Sequence, residues 1–293
     1  MFTYFLRSFC EEYEYPQEAC TQICDTYHKI RLHESAYAVF RDMVLMYEKE
    51  GLPEQNDFLN RLDVIAEEVG ANPYTTHLLY LICLTPHLKV LYRKNEYNDA
   101  IFHDSVLDLK WKLQECWQMH NVWGVFVSWW HVDFFRLKLF ALGRLQFELT
   151  KCKCDYSENG IEVHEGDIVV NVHIPSGRPL KREEYTKSYE LAAEFFAEHF
   201  ADRPVVFVCN SWFLNPDNVY LLPETSSVLR FAQDYHVVKK QDTNIALWRI
   251  FHKEYHDNPE EMPQDTSLQR ALVSWLKEGK SFALGYGIFF YKK

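Results

Sequence analysis

The chain has 293 residues, of which 47% are apolar and 25% charged, with only 10 glycines and 11 prolines. This is globular composition, long enough for two domains, and it excludes a disordered or collagen-like chain. Its 31 basic and 42 acidic residues give a net charge of −11, which repels phosphate backbones and argues against sequence-independent nucleic-acid binding.

The N-terminus meets Glu11, Glu12 and Glu14 before any signal-like apolar run. The eight cysteines, at 10, 20, 24, 83, 116, 152, 154 and 209, include no Cys-x-x-Cys pair. The expectation is reduced thiols in a cytoplasmic protein. About the first 120 residues read as helices. In 33–50 the set Ala36, Phe40, Met43, Val44 and Tyr47 follows helical spacing, and Gly51 stops it. In 54–69 the set Phe58, Leu62, Ile65, Ala66 and Val69 does the same. Asn72-Pro73 then predicts an N-cap with proline at the first helical position, and Pro86 predicts a break or kink. The charge-free stretch Val69–Leu88 holds Asn72, His77 and both prolines, so it reads as a buried helix and not a membrane span. Basic residues come no denser than the pairs Lys239–Lys240 and Lys292–Lys293, so no polybasic membrane anchor is expected either. A further helix is predicted over 97–118.

The texture changes after a Trp- and Phe-rich stretch at 116–142. Arg144–Thr150 alternates polar and apolar like a half-buried strand, and Ile168–Ile174 is β-branched and strand-like. The polar segment 152–167 between them would close a hairpin. Lys181–Phe200 predicts an amphipathic helix, Val205–Cys209 a buried strand, and the region around Ile245–Phe251 another strand. Asp265–Lys277 predicts a helix with Thr266 and Gln269 as capping box, and Phe282–Tyr291 a last strand. The class is therefore α+β: a helical domain over 1–125, then a sheet domain with flanking helices over 126–293.

No P-loop, zinc helix or nucleophile elbow is present, and Gly285-x-Gly287 lies in a terminal strand with no following helix. His164-Glu165 beside Cys152 and Cys154 has poor metal spacing and reads as surface scatter, so no metal is expected. The most informative segment is strand, loop and helix at 168–200. A short Ser/Gly loop feeding a helix presents unpaired N–H groups, and Arg178, Lys181 and Arg182 add positive charge. That pattern fits an anion site; it equally fits a turn with solvated basic residues.

Four segments then occur in order: Gly143–Glu148 (GRLQFE), His173–Leu180 (HIPSGRPL), Cys209–Pro216 (CNSWFLNP) and Leu222–Phe231 (LPETSSVLRF). Together, with Leu268–Arg270 and Gly279 behind them, they resemble a bacterial family of two-domain acyltransferases with a helical N-terminal domain and a GNAT-like C-terminal domain. The resemblance covers about 140–293 by motif, and the first half by helical character. It implies acyl transfer from a thioester, acyl-CoA or CoA-derived, to a small-molecule or peptide amine. In the GNAT fold the pantetheine lies where the fourth and fifth strands part, and the pyrophosphate sits on the loop after the fourth. The resemblance thus assigns Ser176, Gly177 and Arg178 to the pyrophosphate, with Ser211 and Trp212 on the following loop. Ordinary GNAT loops read Arg/Gln-x-x-Gly-x-Gly/Ala. Pro175–Pro179 has one glycine and two prolines, and prolines remove N–H donors. An acyl-carrier-protein donor is the alternative.

Acyl transfer to an amine needs a base, oxyanion donors and an acid for the leaving thiolate. Glu148 and His173, at predicted strand ends, are the candidate bases. Spacing alone also allows a salt-bridged Glu148 and a turn histidine. Cys209 reads as a small buried hydrophobe, or as the nucleophile of a Cys-His-carboxylate set with the other two. Direct transfer is therefore set against two alternatives, a Cys209-dependent transferase or hydrolase and a non-catalytic GNAT-shaped sensor.

Overall fold

The structure, a computed structural model, describes residues 2–52, 57–200 and 203–291. The chain divides into two compact units, Met1–Phe140 and Ala141–Lys293. Residues 54–56 of the expected second helix and the pair Lys292–Lys293 lie outside the described residues.

The first unit is built from α1 (Phe2–Glu12), α2 (Gln17–Leu32), α3 (Glu34–Glu50), α4 (Asp57–Glu68), α5 (Pro73–Lys94) and α6 (Asp99–His120). α3 starts where His33 Nδ1 accepts the Ala36 N–H and stops at Gly51, whose φ of +75° a side chain would resist. α5 starts as predicted: the Asn72 side chain accepts from Tyr74 N at 2.9 Å and Pro73 opens the helix. α5 is the central helix, packed against α2, α3, α4 and α6, and most of its first half is buried. It does not break at Pro86. Proline has no N–H for the Ile82 carbonyl four residues back. The Thr85 hydroxyl donates to that carbonyl at 2.8 Å instead, so the bond is replaced.

The aromatic segment after α6 forms a 3-10 turn (Ser128–His131) and the single-turn α7 (Val132–Phe135). It folds with the helical unit through buried polar contacts. His77 Nδ1 meets Ser128 Oγ at 2.7 Å, His131 Nε2 lies 3.2 Å from Asp108 Oδ2, and the Tyr47 hydroxyl donates to the Phe135 carbonyl at 2.9 Å.

β1 (Leu139–Leu142) straddles the division, and the second unit continues with β2 (Leu145–Lys151), β3 (Tyr156–Glu158), β4 (Ile161–Val163) and β5 (Ile168–His173), then α8 (Arg182–Phe195) and β6 (Val205–Ser211). Short helices α9 (Asn218–Leu221) and α10 (Ser227–Ala232) follow, then β7 (His236–Asp242), α11 (Trp248–Phe251), α12 (Ser267–Lys277) and β8 (Ala283–Tyr291). The main sheet has the order β1-β2-β5-β6-β8-β7, and β3 and β4 form a small hairpin of their own. β5 and β6 pair in parallel, as a strand–α8–strand crossover requires, whereas β2–β5, β6–β8 and β7–β8 are antiparallel.

Alternation gives the sheet two faces. Phe147, Phe207 and Phe289 meet Tyr189 of α8 with ring centroids 6.4, 5.2 and 5.0 Å away. On the opposite face Val169, Val206, Val208, Ile288 and Phe290 pack with Val163 of the small hairpin. Cys152 is buried in this second cluster, whereas His164 is exposed and near Asp155 at 3.5 Å.

The helix at 267–277 carries the predicted capping box, with both reciprocal bonds formed. The strand expected around Ile245–Phe251 is not there. Leu247, Ile250 and Phe251 have helical spacing and enter a core cluster with Leu272 and Phe282, so the chain turns into α11. The strand is at His236–Asp242 instead, a mostly exposed edge with a bulge between Val237 and Lys239, whose lysines discourage edge pairing. Gly285 is explained by close approach: a Cβ there would collide with the Leu214 carbonyl oxygen.

Candidate active site

The site is built where β5 leaves β6. Their register pairs only Val170 with Phe207 and Asn171 with Val208, while β5 runs on to His173 and β6 to Ser211. On its other side β5 stays paired with β2, placing Gln146 opposite His173 and Glu148 opposite Asn171. Directly opposite residues in these strands share a face, and diagonal neighbours are within side-chain reach. The consequence is a contact between the two candidate bases: Glu148 Oε1 and His173 Nε2 are 2.8 Å apart, each side chain about one quarter exposed.

Asn171 completes the set. Its Nδ2 donates to Glu148 Oε1 at 2.9 Å and lies 3.0 Å from His173 Nε2. A carboxylate only accepts, so Nε2 must carry the proton in the 2.8 Å bond, and a neutral His173 then has its lone pair on Nδ1. Burial pulls the Glu148 pKa upward, but the hydrogen bond and charge of His173 and the Asn171 amide outweigh it, and the net shift is downward. Glu148 is therefore an anion at neutral pH, suited to orienting an imidazole and stabilising an imidazolium.

Cys209 is not brought to this pair. Asn171 faces the same side of the sheet as Val208, and Cys209 is the next residue of β6, so its thiol points to the α8 face. It is 1% exposed, and burial pushes its pKa far above the ordinary thiol value. That is the environment of an inert cysteine.

Beyond β5 the loop 174–181 carries exposed Ser176, Gly177 and Arg178, with Gly177 at φ +89°. Of the three cations expected there, Lys181 lies 3.4 Å from Glu184 and Arg182 3.2 Å from Asp234. Arg178 instead reaches toward the Gly143 carbonyl at 3.4 Å. Beneath the loop lies Arg144, only 5% exposed. Its Nε donates to the Pro179 carbonyl at 3.1 Å, Nη1 to Pro175 at 2.9 Å and Nη2 to Arg178 at 2.6 Å. Its own backbone N–H donates to Ser188 Oγ of α8 at 2.7 Å. The preceding Gly143 has φ +76°, and a Cβ there would come within 2.9 Å of the same Ser188 oxygen. Burial, followed by the charge of Arg178, lowers Arg144 to about 10, which leaves it charged at neutral pH.

Ser211 and Trp212 are occupied locally. The Ser211 hydroxyl accepts from Phe213 N at 3.2 Å and caps a 3-10 turn, and Trp212 packs against the cluster containing Phe282. On the dyad's face of the sheet, a cavity of about 350 Å³ is lined by Lys153, Asn210, Lys239 and Tyr286, among others. Among the described residues, no group of three or more His, Cys, Asp or Glu side chains is disposed to hold a metal, and no helix is long and apolar enough to cross a membrane.

Residues 4–137 match the model of the N-acyltransferase N-terminal domain, and residues 139–289 that of the GNAT-like C-terminal domain. The chain belongs to this two-domain N-acyltransferase family. Solved acyltransferases share the fold at low identity. One in complex with decanoyl-CoA and teicoplanin superposes with a TM-score of 0.74 at 20% identity, over 98% of this chain and 87% of that one. A mutant acyltransferase with octanoyl-CoA gives 0.76 at 19% identity with the same coverage. No curated protein sequence matches the chain.

Proposed function

We propose that the protein transfers an acyl group from acyl-CoA to an amine on a small molecule or peptide, and that the Glu148–His173 pair removes the proton the amine must lose. The observation that carries this reading is the 2.8 Å Glu148–His173 contact on a strand that has parted from its parallel neighbour. The family supplies the reaction class. The acyl-CoA ligands of the structurally similar acyltransferases support CoA as the donor carrier.

An amine is mostly ammonium at neutral pH and cannot attack until it is deprotonated. His173 Nδ1 accepts that proton, directly or through water, while Nε2–H remains on Glu148. The imidazolium so formed is paired with a carboxylate that Asn171 holds in place. The amine nitrogen attacks the thioester carbon, the oxyanion collapses, the C–S bond breaks, and the second proton of the attacking nitrogen passes to the departing thiolate, giving CoA and an amide, while the proton on His173 is returned to solvent. Arg178 and the loop before α8 would hold the pyrophosphate. The buried thiol of Cys209 takes no part.

The test is amide formation from octanoyl-CoA and a panel of amines, followed by mass and by thiol release. Wild type should form amide, and Glu148→Gln and His173→Ala should each lower kcat by about 10²-fold or more. Thiol release with no amide for any amine would make the protein a hydrolase. CoA binding with no consumption of thioester would make it a sensor.

A further inference from the structure

We infer that Arg144 is the positioning residue of the CoA site: from beneath the loop, it turns the backbone so that a loop with two prolines still presents donors to a pyrophosphate. The inference rests on the reading that acyl-CoA is the donor. It concerns a residue that touches no substrate atom.

The argument is stereochemical. In a trans peptide the C=O and the following N–H point in opposite directions, and the described chain has no cis peptide. Arg144 draws the carbonyls of Pro175, Arg178 and Pro179 inward. The amides that follow in those peptides must then face away from the guanidinium. They belong to Ser176, to Pro179, which has no hydrogen, and to Leu180. Three carbonyls of the loop thereby accept from one buried cation, and the N–H groups of Ser176 and Leu180 in those peptides are turned to the opposite side. The same guanidinium stands in for the sequence device of the ordinary GNAT loop pattern, spaced glycine or small positions whose backbone can turn either way.

Arg178 adds charge on the exposed side of the same loop, its guanidinium reaching the Gly143 carbonyl at 3.4 Å, beside Arg144 in sequence. Arg144 is tied in turn to α8, because its N–H holds Ser188 Oγ, which itself donates to Glu184 O at 3.0 Å. Loop, helix start and the β1–β2 turn are therefore fixed relative to one another by one residue.

Lysine at 144 keeps the charge but cannot reach three carbonyls in the fork geometry of arginine. The experiment measures binding of octanoyl-CoA and of octanoyl-pantetheine, which lacks the pyrophosphate, to wild type and Arg144→Lys. The expected result is a loss of about tenfold or more in Kd for octanoyl-CoA, with octanoyl-pantetheine affinity unchanged within about twofold. Equal losses on both ligands would assign Arg144 to general support of the fold, and no loss on either would leave the loop independent of it; both overturn the inference. If Arg144→Lys does not fold, amide exchange on wild type decides. The peptide spanning 174–181 should be protected by CoA and not by pantetheine, and identical protection, or none, overturns the inference. Wild type that binds neither ligand would instead defeat the acyl-CoA reading itself.

Discussion

At the scale of single residues, the account turns on which side of a strand each side chain occupies. Glu148 and His173 share a face, and Cys209 occupies the other. Cys209→Ala should therefore leave turnover intact, and loss of activity with a trapped acyl-thioester adduct would reverse the assignment. Because its folded pKa is lowered, Glu148 contributes stability that is complete above the ordinary carboxylate value of 4.5 and is lost as pH falls through the lower folded value. Acid unfolding of wild type and Glu148→Gln should thus diverge above that window and converge below it. Equal stability at all pH values would mean the pair contributes nothing. Glu148 and His173 were legible in the sequence as candidate bases, polar residues in strand-like segments, but their pairing depended on a register that no local pattern specifies. Arg144 was illegible for a related reason. It has the same parity as Gln146 and Glu148, so it reads as an exposed polar position, and only the fold reveals that a loop thirty residues on covers it.

At the scale of elements, the local signals worked where capping and periodicity acted alone and failed where a distant partner intervened. The caps at Asn72 and Thr266 formed as read. Pro86 did not break α5, since Thr85 supplies the missing donor to Ile82. Thr85→Val keeps the shape and removes that donor, so it should cost about 1–3 kcal/mol, read by urea unfolding. A change well below that range would mean the carbonyl finds another partner. β7 escaped notice because an exposed edge strand has no apolar alternation to see. His77 joins three elements of the helical unit, with Nε2 3.0 Å from Asp63 of α4 and Nδ1 on Ser128. Burial lowers its pKa against the opposing pull of Asp63. The unfolded chain therefore takes the proton first, and stability should fall as pH drops below about 6.5 toward the folded value. Thermal midpoints of wild type and His77→Gln across that range check the sign, and a wild-type midpoint that rises on acidification would refute it.

At the scale of the whole molecule, a helical half followed by a sheet half was readable from the change of texture, with the division expected after residue 125. The compact units divide at Phe140/Ala141 instead, because the aromatic segment with Ser128, His131 and Phe135 bonds to the helices. The proposed donor site was half readable: motif order led to the loop and its prolines argued against a phosphate cradle, while the bonds from Arg144 to the Pro175, Arg178 and Pro179 carbonyls are visible only in the fold. The measurement that tests the central claim most directly needs no acceptor. It is thermal unfolding of the wild-type chain with CoA, octanoyl-CoA and decanoyl-CoA. A ligand at about 100 times its Kd adds about 2.7 kcal/mol to the native state. The account predicts a midpoint that rises with each of these ligands and rises less when Arg178 is changed to alanine. A midpoint unmoved by all of them would contradict it.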